Sequence, residues 1–172
     1  SEGRVLSFEP NPALAPLLRK SVAVNGMGGI VDFHEIGLGA RKGHAVMDTS
    51  IDQPGGGRTI PASKKQGGIT IDRLDRIAHA TRLDFIKMDV EGFEPSVWEG
   101  MTRLLRRRRP LTIFMEFTVG RLDDPAGFLD EILSHGFSLE IISFHDGIVP
   151  TTREAILNGP RFVDHMLVFR RS

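Results

Sequence analysis

Residues 83–95 read Leu-Asp-Phe-Ile-Lys-Met-Asp-Val-Glu-Gly-Phe-Glu-Pro, and this stretch decides the fold. Its first seven residues are the strongest strand candidate of the chain, because apolar residues dominate a run that contains neither glycine nor proline. Pro95 suits the first position of a helix, and an apolar helical pattern follows it. The stretch therefore predicts a strand, a tight turn and a helix in succession.

The same alternation continues on both sides of this stretch. Further strands are predicted at residues 5–8, 31–36, 44–47, 69–71, 111–117, 138–143 and 165–169. Further helices are predicted at about 72–80, 125–134 and 152–157. One more helix is predicted to end at 25–26, and it begins either at Pro12 or with Pro16 in its first turn. This order is typical of an α/β domain with a mostly parallel sheet. We expect one domain over residues 1–172.

The composition excludes several classes of protein. Lys and Arg (22) balance Asp and Glu (22), so the formal net charge is zero, which argues against bulk attraction to nucleic acid or to an anionic membrane. The absence of cysteine excludes disulfides, thiolate zinc sites and cysteine nucleophiles. No apolar run approaches the ~18 residues of a membrane span. We therefore expect a soluble, cytoplasmic protein.

The chain begins at Ser1 and reaches its first predicted strand within four residues. An intact domain usually has more polar chain before its first strand. We therefore expect that an N-terminal part of the domain is missing.

Two glycine-rich segments suggest phosphate binding but lack the features that it needs. Gly55–Gly57 lies in segment 52–68, which predicts a flexible surface loop, and no Gly-Lys-Ser/Thr follows at the required spacing. The segment at 37–39, Gly-Leu-Gly, is followed by a strand pattern where a dinucleotide loop needs a helix. The backbone at Gly37 and Leu38 can still pack beside an adenine ring, with a plain turn as the alternative.

Glu9 follows the first predicted strand, at the sheet edge where open α/β domains bind their ligands. A carboxylate at this position can accept hydrogen bonds from both hydroxyls of a ribose. The alternative is a solvated acid in a turn. Asn11, two residues later, can cap the next helix.

Acidic residues cluster after the strongest strand. Asp89 and Glu91 point to the same side if the extended conformation continues beyond that strand. With Glu116 from the neighbouring strand, they can position a hydroxyl, take its proton or hold a divalent ion. We favour catalytic roles for Asp89 and Glu91 and a helix-capping role for Glu94, and we assign no metal.

Other charged residues favour structural roles. Lys87 lies within an apolar strand and is expected to pair with a carboxylate. Arg103 and the arginines at 106–109 fall in the last turn of a helix, which favours a solvated face over a nucleic-acid patch. The six histidines show no metal-ligand spacing, and His145, in a turn, is the one to test as a base.

Several segments together resemble the FkbM-type methyltransferases. They are 5–12 (VLSFEPNP), 25–26 (NG), 37–39 (GLG), 70–74 (TIDRL) and, above all, 85–94 (FIKMDVEGFE). The resemblance extends from about Val5 to Phe117. It implies a Rossmann-like class I methyltransferase sheet, S-adenosylmethionine as cofactor, and methyl transfer to a hydroxyl of a sugar or secondary metabolite.

The resemblance also implies roles for individual residues. Glu9 would take the ribose hydroxyls, Gly37 and Leu38 would line the adenine, and Asp89 would lie near the sulfonium and the acceptor. Asn11 completes the expected cofactor-binding set.

In this family the first strand and its Gly-rich turn precede the segment where this chain begins. The resemblance therefore implies a gap in the sheet, between the strand that ends at Phe8 and the one that ends at Asp89. Unpaired backbone there would be costly.

Two other functions remain open at this point. The first is a nucleotide-dependent oxidoreductase that uses Glu9 for the ribose, and the second is a non-catalytic module that binds a partner. As an enzyme, the protein is expected to act on a small-molecule or glycan hydroxyl, without nucleic-acid or membrane partners. The sequence determines neither the acceptor nor the oligomeric state.

Overall fold

The structure is a computed structural model, and it describes residues 3–48, 58–62, 68–78, 82–107 and 109–172. The strands in these ranges are β1 (Val5–Phe8), β2 (Val31–His34), β3 (Gly37–Leu38), β4 (Gly43–Asp48), β5 (Arg58–Ala62), β6 (Ile69–Asp72), β7 (Phe85–Met88), β8 (Leu111–Phe117), β9 (Ser138–Ser143), β10 (Gly147–Pro150) and β11 (His165–Arg171). The helices are α1 (Ala15–Val24), α2 (Leu74–Ile77), α3 (Glu94–Gly100), α4 (Thr102–Leu105), α5 (Pro125–Ser134) and α6 (Arg153–Leu157), with a short 3-10 helix at Val119–Arg121. The expected α/β class is confirmed.

The strands form three hydrogen-bonded groups. A five-stranded sheet has the order β10-β9-β11-β8-β7, a four-stranded sheet has the order β3-β6-β4-β5, and β1 pairs with β2. Among the described strands, the pairs β1–β2, β3–β6 and β7–β8 are parallel and the other pairs are antiparallel. The sheets are therefore mixed rather than mostly parallel, because β11 runs back between β8 and β9, and β4 lies antiparallel to both of its neighbours.

The core lies on one face of the five-stranded sheet. Alternate residues of β8 are buried, as expected for a strand with one face in the core: Leu111, Ile113, Met115 and Phe117. Trp98 of α3 is 1% exposed and packs edge-on against Phe128 and Phe137. Each fully buried side chain of this size contributes about 1.5–3 kcal/mol to folding, so this face holds the sheet and helices together.

Most element bounds follow local signals. Helix α1 begins at Ala15 with Pro16 in its first turn, which confirms the second of the two predicted starts. Helix α5 begins after Asp124, whose side chain accepts a hydrogen bond from the Gly127 N–H at 2.9 Å. No helix in the described ranges is long and apolar enough to cross a membrane.

Two local expectations are wrong, and one strand after a correctly predicted turn was not predicted. Segment 52–68 contains strand β5, which pairs with β4, although residues 49–57 and 63–67, with the three glycines, lie outside the described residues. The turn after β9 leads into another strand, β10, through Gly147 at φ +74°. The helix after Pro95 is interrupted at Met101, which separates α3 from α4.

Strands β1 and β7 lie at the edges of their groups and are not hydrogen-bonded to each other. The N–H groups of Val5 and Glu9 donate to carbonyls in or just before β2, so the backbone groups of Leu6 and Phe8 face the opposite edge of β1. A gap therefore separates β1 from β7, at the position where the resemblance implies one. The gap opens into the cavity described below.

Candidate active site

A cavity of about 400 Å³ lies between β1 and β7. One wall is formed by residues 5–10, which are β1 and its carboxyl end, and the other by residues 86–91. Gly37, Leu38 and Ile71 line a third side. The cavity therefore has two parts. One part runs along strands β1 and β7, and the other lies at their carboxyl ends, where α/β sheets bind ligands.

Glu9 reaches this cavity from the end of β1. One carboxylate oxygen, Oε1, accepts the backbone N–H of Asn11 at 2.7 Å, which fixes the side chain against its own turn. Asn11 does not line the cavity, and its Oδ1 accepts the N–H of Ala13 at 2.9 Å. The structure therefore places Glu9 in the cavity and places Asn11 in the turn before α1.

Gly37 lies in close contact with the side chains of Ile71 and Pro10. A Cβ at this position would be 2.5 Å from Cδ1 of Ile71 and 3.5 Å from Cβ of Pro10. Because Gly37 has no side chain, β3 can approach the Pro10 turn and β6 together. The predicted pair Gly37 and Leu38 consequently lies on the cavity wall, close to the Glu9 turn.

Asp89, Glu91 and Glu116 come together at the carboxyl ends of β7 and β8. One carboxylate oxygen from each residue lies within 4.8 Å of the others. Asp89 and Glu91 also line the cavity, and Glu116 lies behind them with 18% of its side chain exposed. The predicted juxtaposition of the three acids is therefore confirmed.

The reason for the juxtaposition differs from the expectation. The extended conformation does not continue beyond β7, because Glu91 has φ +57° and begins a tight turn with Gly92 at φ +91°. The left-handed conformation of a glutamate is unfavourable, and such strain is often found at functional sites. Gly92 needs its positive φ, and a Cβ there would also lie 3.3 Å from the carbonyl oxygen of Arg121.

Glu94 holds this turn in place. Its Oε1 accepts the N–H of Val90 at 3.0 Å and that of Gly92 at 3.4 Å, and the residue is 3% exposed. No side-chain cap is present at the start of α3, so the expected capping role is wrong. Burial raises the pKa of Glu94, while the backbone hydrogen bonds act in the opposite direction.

Arg121 is the cation of the cluster. Its Nη1 lies 2.8 Å from Glu91 Oε2, 3.1 Å from Glu116 Oε2 and 3.5 Å from Asp164 Oδ1. Asp164 also accepts the hydroxyl hydrogen of Thr118 at 2.6 Å. The Arg121 guanidinium thus supplies a positive charge shared by Glu91, Glu116 and Asp164.

The pKa of Glu116 is raised to about 7, chiefly by burial and then by the nearby carboxylates of Asp89, Asp164 and Glu91, in that order, against the lowering effect of Arg121. Asp89 has a cation of its own, because the Lys87 Nζ lies 2.7 Å from its Oδ2. The expected pairing of Lys87 is confirmed, although its side chain is more than half exposed.

Several candidates from the sequence lie elsewhere. His145 is exposed in the β9–β10 turn beside Phe144, and it does not line the cavity. Arg103 lies 3.6 Å from the buried carboxylate of Asp75, and Arg106 and Arg109 are exposed. None of these residues contributes to the site.

Comparison with known proteins identifies the family. The sequence model of the methyltransferase FkbM domain matches residues 1–139, which is most of the chain. The chain belongs to the FkbM methyltransferase family. The resemblance of the motifs at 5–12 and 85–94 to this family is thereby confirmed.

The FkbM fold is also found in a solved structure. The chain is similar to the crystal structure of methyltransferase FkbM from Methylobacillus flagellatus KT, with a TM-score of 0.56 and 17% identity over 97% of this chain. This chain spans 36% of the length of that protein. A search of curated proteins gives no match.

The FkbM cavity fits the adenosine part of a nucleotide cofactor. Glu9 provides an acidic group on one wall, and Gly37 brings backbone without a side chain to the third side. The apolar residues Leu38 and Phe8 also line the cavity. This combination of an apolar wall with a few polar groups is typical of cofactor sites.

Two functional candidates of this FkbM domain could not be identified from the sequence, namely Arg121 and Asp164. They are 43 residues apart, and the fold brings Arg121 close to both Asp164 and Glu116. The only local signal for Arg121 is that it follows Glu116, the acid of β8, by five residues. The structure is needed to show that this cation belongs to the site.

Proposed function

We propose that this domain uses S-adenosylmethionine to methylate a hydroxyl group of a sugar or a secondary metabolite. The observation that carries the proposal is the cavity with Glu9 on one wall and Asp89 and Glu91 on the other. Membership of the FkbM family supports methyl transfer as the reaction. When bound, the cofactor would supply an electrophilic methyl group.

The cofactor-binding residues follow from the two walls. Glu9 would accept hydrogen bonds from the ribose hydroxyls, and Gly37 and Leu38 would lie against the adenine. Asp89, at the end of β7, would lie toward the methyl group and the acceptor. Asn11 would act indirectly, since its N–H holds the Glu9 carboxylate in place.

Asp89 and Glu91 are the proposed catalytic residues on the acceptor side. Their carboxylates lie beside each other and line the cavity, so they can accept hydrogen bonds from an acceptor hydroxyl and orient its oxygen. Correct orientation supplies a large part of the acceleration in a displacement reaction.

The gap between β1 and β7 bears on cofactor binding. The cavity extends along both strands as far as Val5 and Ile86, below the carboxyl ends where a cofactor would lie. We propose that an extended segment parallel to β1 and β7 occupies this lower space in the active enzyme, where it would pair with the free edge of each strand.

Calorimetric titration tests the proposal. S-adenosylmethionine, with NAD as the control ligand, is titrated into this chain and into the whole protein that its gene encodes. We expect the methyl donor to bind the whole protein, and Glu9→Gln to weaken binding by about tenfold or more, because a charge-assisted hydrogen bond is lost. Glu154→Gln, exposed on α6, is the matched control.

Binding of NAD in place of the methyl donor would favour an oxidoreductase. If neither chain binds a cofactor, the remaining explanation is a non-catalytic binding module. In that case, substitution of Asp89 or Glu91 would leave the binding of a protein partner unchanged.

A further inference from the structure

Glu116 differs from Asp89 and Glu91 in its surroundings. Asp89 lies on the more exposed side of the cluster and has Lys87 as its partner. Glu91 makes the closest of the Arg121 contacts, at 2.8 Å. Glu116 is the least exposed of the acids that share Arg121, and its guanidinium contact is longer, at 3.1 Å.

The charges in the cluster do not balance when every acid is ionised. The groups that face Glu116 are Asp89 after β7, Glu91 in the turn, Arg121 in the 3-10 helix and Asp164 before β11. With Glu116 itself there are four carboxylates, and Arg121 with Lys87 supply two positive charges. A proton on the most buried carboxylate reduces the repulsion between them.

We propose that Glu116 is the general base that takes the proton of the acceptor hydroxyl, while Asp89 and Glu91 hold the hydroxyl in position. This inference rests on the proposed function. One carboxylate oxygen of Glu116 lies within 4.8 Å of an oxygen of each positioning carboxylate, so a hydroxyl held by them is close to the Glu116 carboxylate. Arg121 is a positioning residue, because it fixes Glu116 and Glu91 relative to each other.

The step balances in atoms and charge. Glu116 takes the hydroxyl proton as the oxygen forms a bond to the methyl carbon. The carbon–sulfur bond of the donor breaks, and its electron pair remains on sulfur, which loses its positive charge. Glu116 becomes a neutral carboxyl group and then returns its proton to water. A base that titrates near the working pH is the most effective one, and the pKa of Glu116 at about 7 meets this condition.

The first measurement needs no acceptor. Carboxyl carbons of glutamate are labelled with carbon-13 in the full-length protein, and their chemical shifts are followed against pH, with Glu116→Gln used to assign the resonance. We expect Glu116 to titrate near neutral pH. Titration at the ordinary value of glutamate would overturn the inference.

The second measurement uses tritiated S-adenosylmethionine with a panel of methyl glycosides as hydroxyl acceptors. We expect Glu116→Gln to slow methyl transfer by about 10²–10⁴-fold, with unchanged cofactor affinity. The rise of the rate with pH should disappear in this variant, and Glu116→Asp should restore part of the rate. A structural role alone would not remove the rise with pH.

Glu140→Gln is the matched control, because Glu140 is also partly buried and has an arginine partner, Arg170 at 2.6 Å, on a neighbouring strand. If Glu116→Gln retains the parent rate and pH profile, the inference is wrong while the proposed function stands. If the parent binds no S-adenosylmethionine or methylates no hydroxyl in the panel, the proposed function fails and the inference falls with it.

Discussion

The Arg73 guanidinium lies 2.7 Å from the carboxylate of Asp75, whose side chain is completely buried. The same carboxylate accepts the backbone N–H groups of Arg103 at 3.3 Å and Leu104 at 3.1 Å, in the first turn of α4. Arg73 also donates to the backbone carbonyls of Ala40 and Glu99. This ion pair therefore joins α2, α4 and the segment after β3, beneath the wall that carries Gly37 and Leu38.

We expect Asp75→Ala to lower the free energy of unfolding by about 3–5 kcal/mol, because Arg73 and two backbone N–H groups lose a buried partner. Urea unfolding followed by circular dichroism measures the effect. Asp84→Ala is the control, since Asp84 pairs with Arg82 on the surface and should cost about 1 kcal/mol or less. Equal effects of the two substitutions would contradict the structural role of Asp75.

Much of the fold could be predicted because its element bounds follow local chemistry. Strand β8 after Pro110, helix α5 after Asp124 and strand β9 were predicted with the bounds that the structure has. The buried role of Asp75 could not be predicted, because its partners Arg103 and Leu104 are 28 and 29 residues away in the chain. A short helix with an acid in its first turn looks the same in sequence whether the acid is solvated or buried.

The candidate site shows the same limit. The rule that parallel strands end at one sheet edge was enough to place Asp89, Glu91 and Glu116 together. It could not show that Glu91 adopts a left-handed conformation, or that Glu94 binds the turn rather than capping the helix. These details depend on close contacts between backbone segments, which no sequence spacing encodes.

Gly100 provides a test of such a close contact. It lies at the end of α3, and a Cβ there would overlap the carbonyl group of Gly39, which is backbone and has little room to move. We expect Gly100→Ala to destabilise the fold by about 1–3 kcal/mol, although alanine is the better helix former. Thermal unfolding measures the change.

Gly43→Ala is the matched control for this substitution, because a Cβ at Gly43 meets no atom within 4 Å. Its effect on the melting temperature should be small. A stabilising effect of Gly100→Ala would show that α3 does not pack against the Gly39 backbone as described.

The raised pKa of Glu116 predicts how stability depends on pH. The folded value of about 7 lies above the ordinary value of 4.5, so between these values the folded state holds a proton that the unfolded state has released. This contribution is fully present below about 4.5 and is lost as the pH rises through about 7. The free energy of unfolding should therefore fall between about pH 5 and pH 8.

Urea unfolding at several pH values in this range measures the slope. Glu116→Gln should have a shallower slope and should be the more stable protein at the alkaline end, because glutamine carries no charge to be repelled by Asp89. The variant should keep part of the pH dependence of its free energy of unfolding, because burial also raises the pKa of Glu94. Identical slopes in parent and variant would contradict the assignment to Glu116.

The position of Arg121 predicts that methyl transfer needs no divalent metal. Its guanidinium contacts Glu91 and Glu116 where a shared cation would bind, so excess EDTA should leave the parent rate unchanged.

Arg121→Ala leaves the carboxylates of Asp89, Glu91 and Glu116 without this cation, and they can then bind a hard divalent ion through oxygen. Titration calorimetry with MnCl₂ should show tighter binding to the variant than to the parent. Arg153→Ala, which removes an exposed partner of Asp130, should not change MnCl₂ binding. Loss of the parent activity in EDTA, with recovery on addition of Mg²⁺, would show that a metal and not Arg121 serves this cluster.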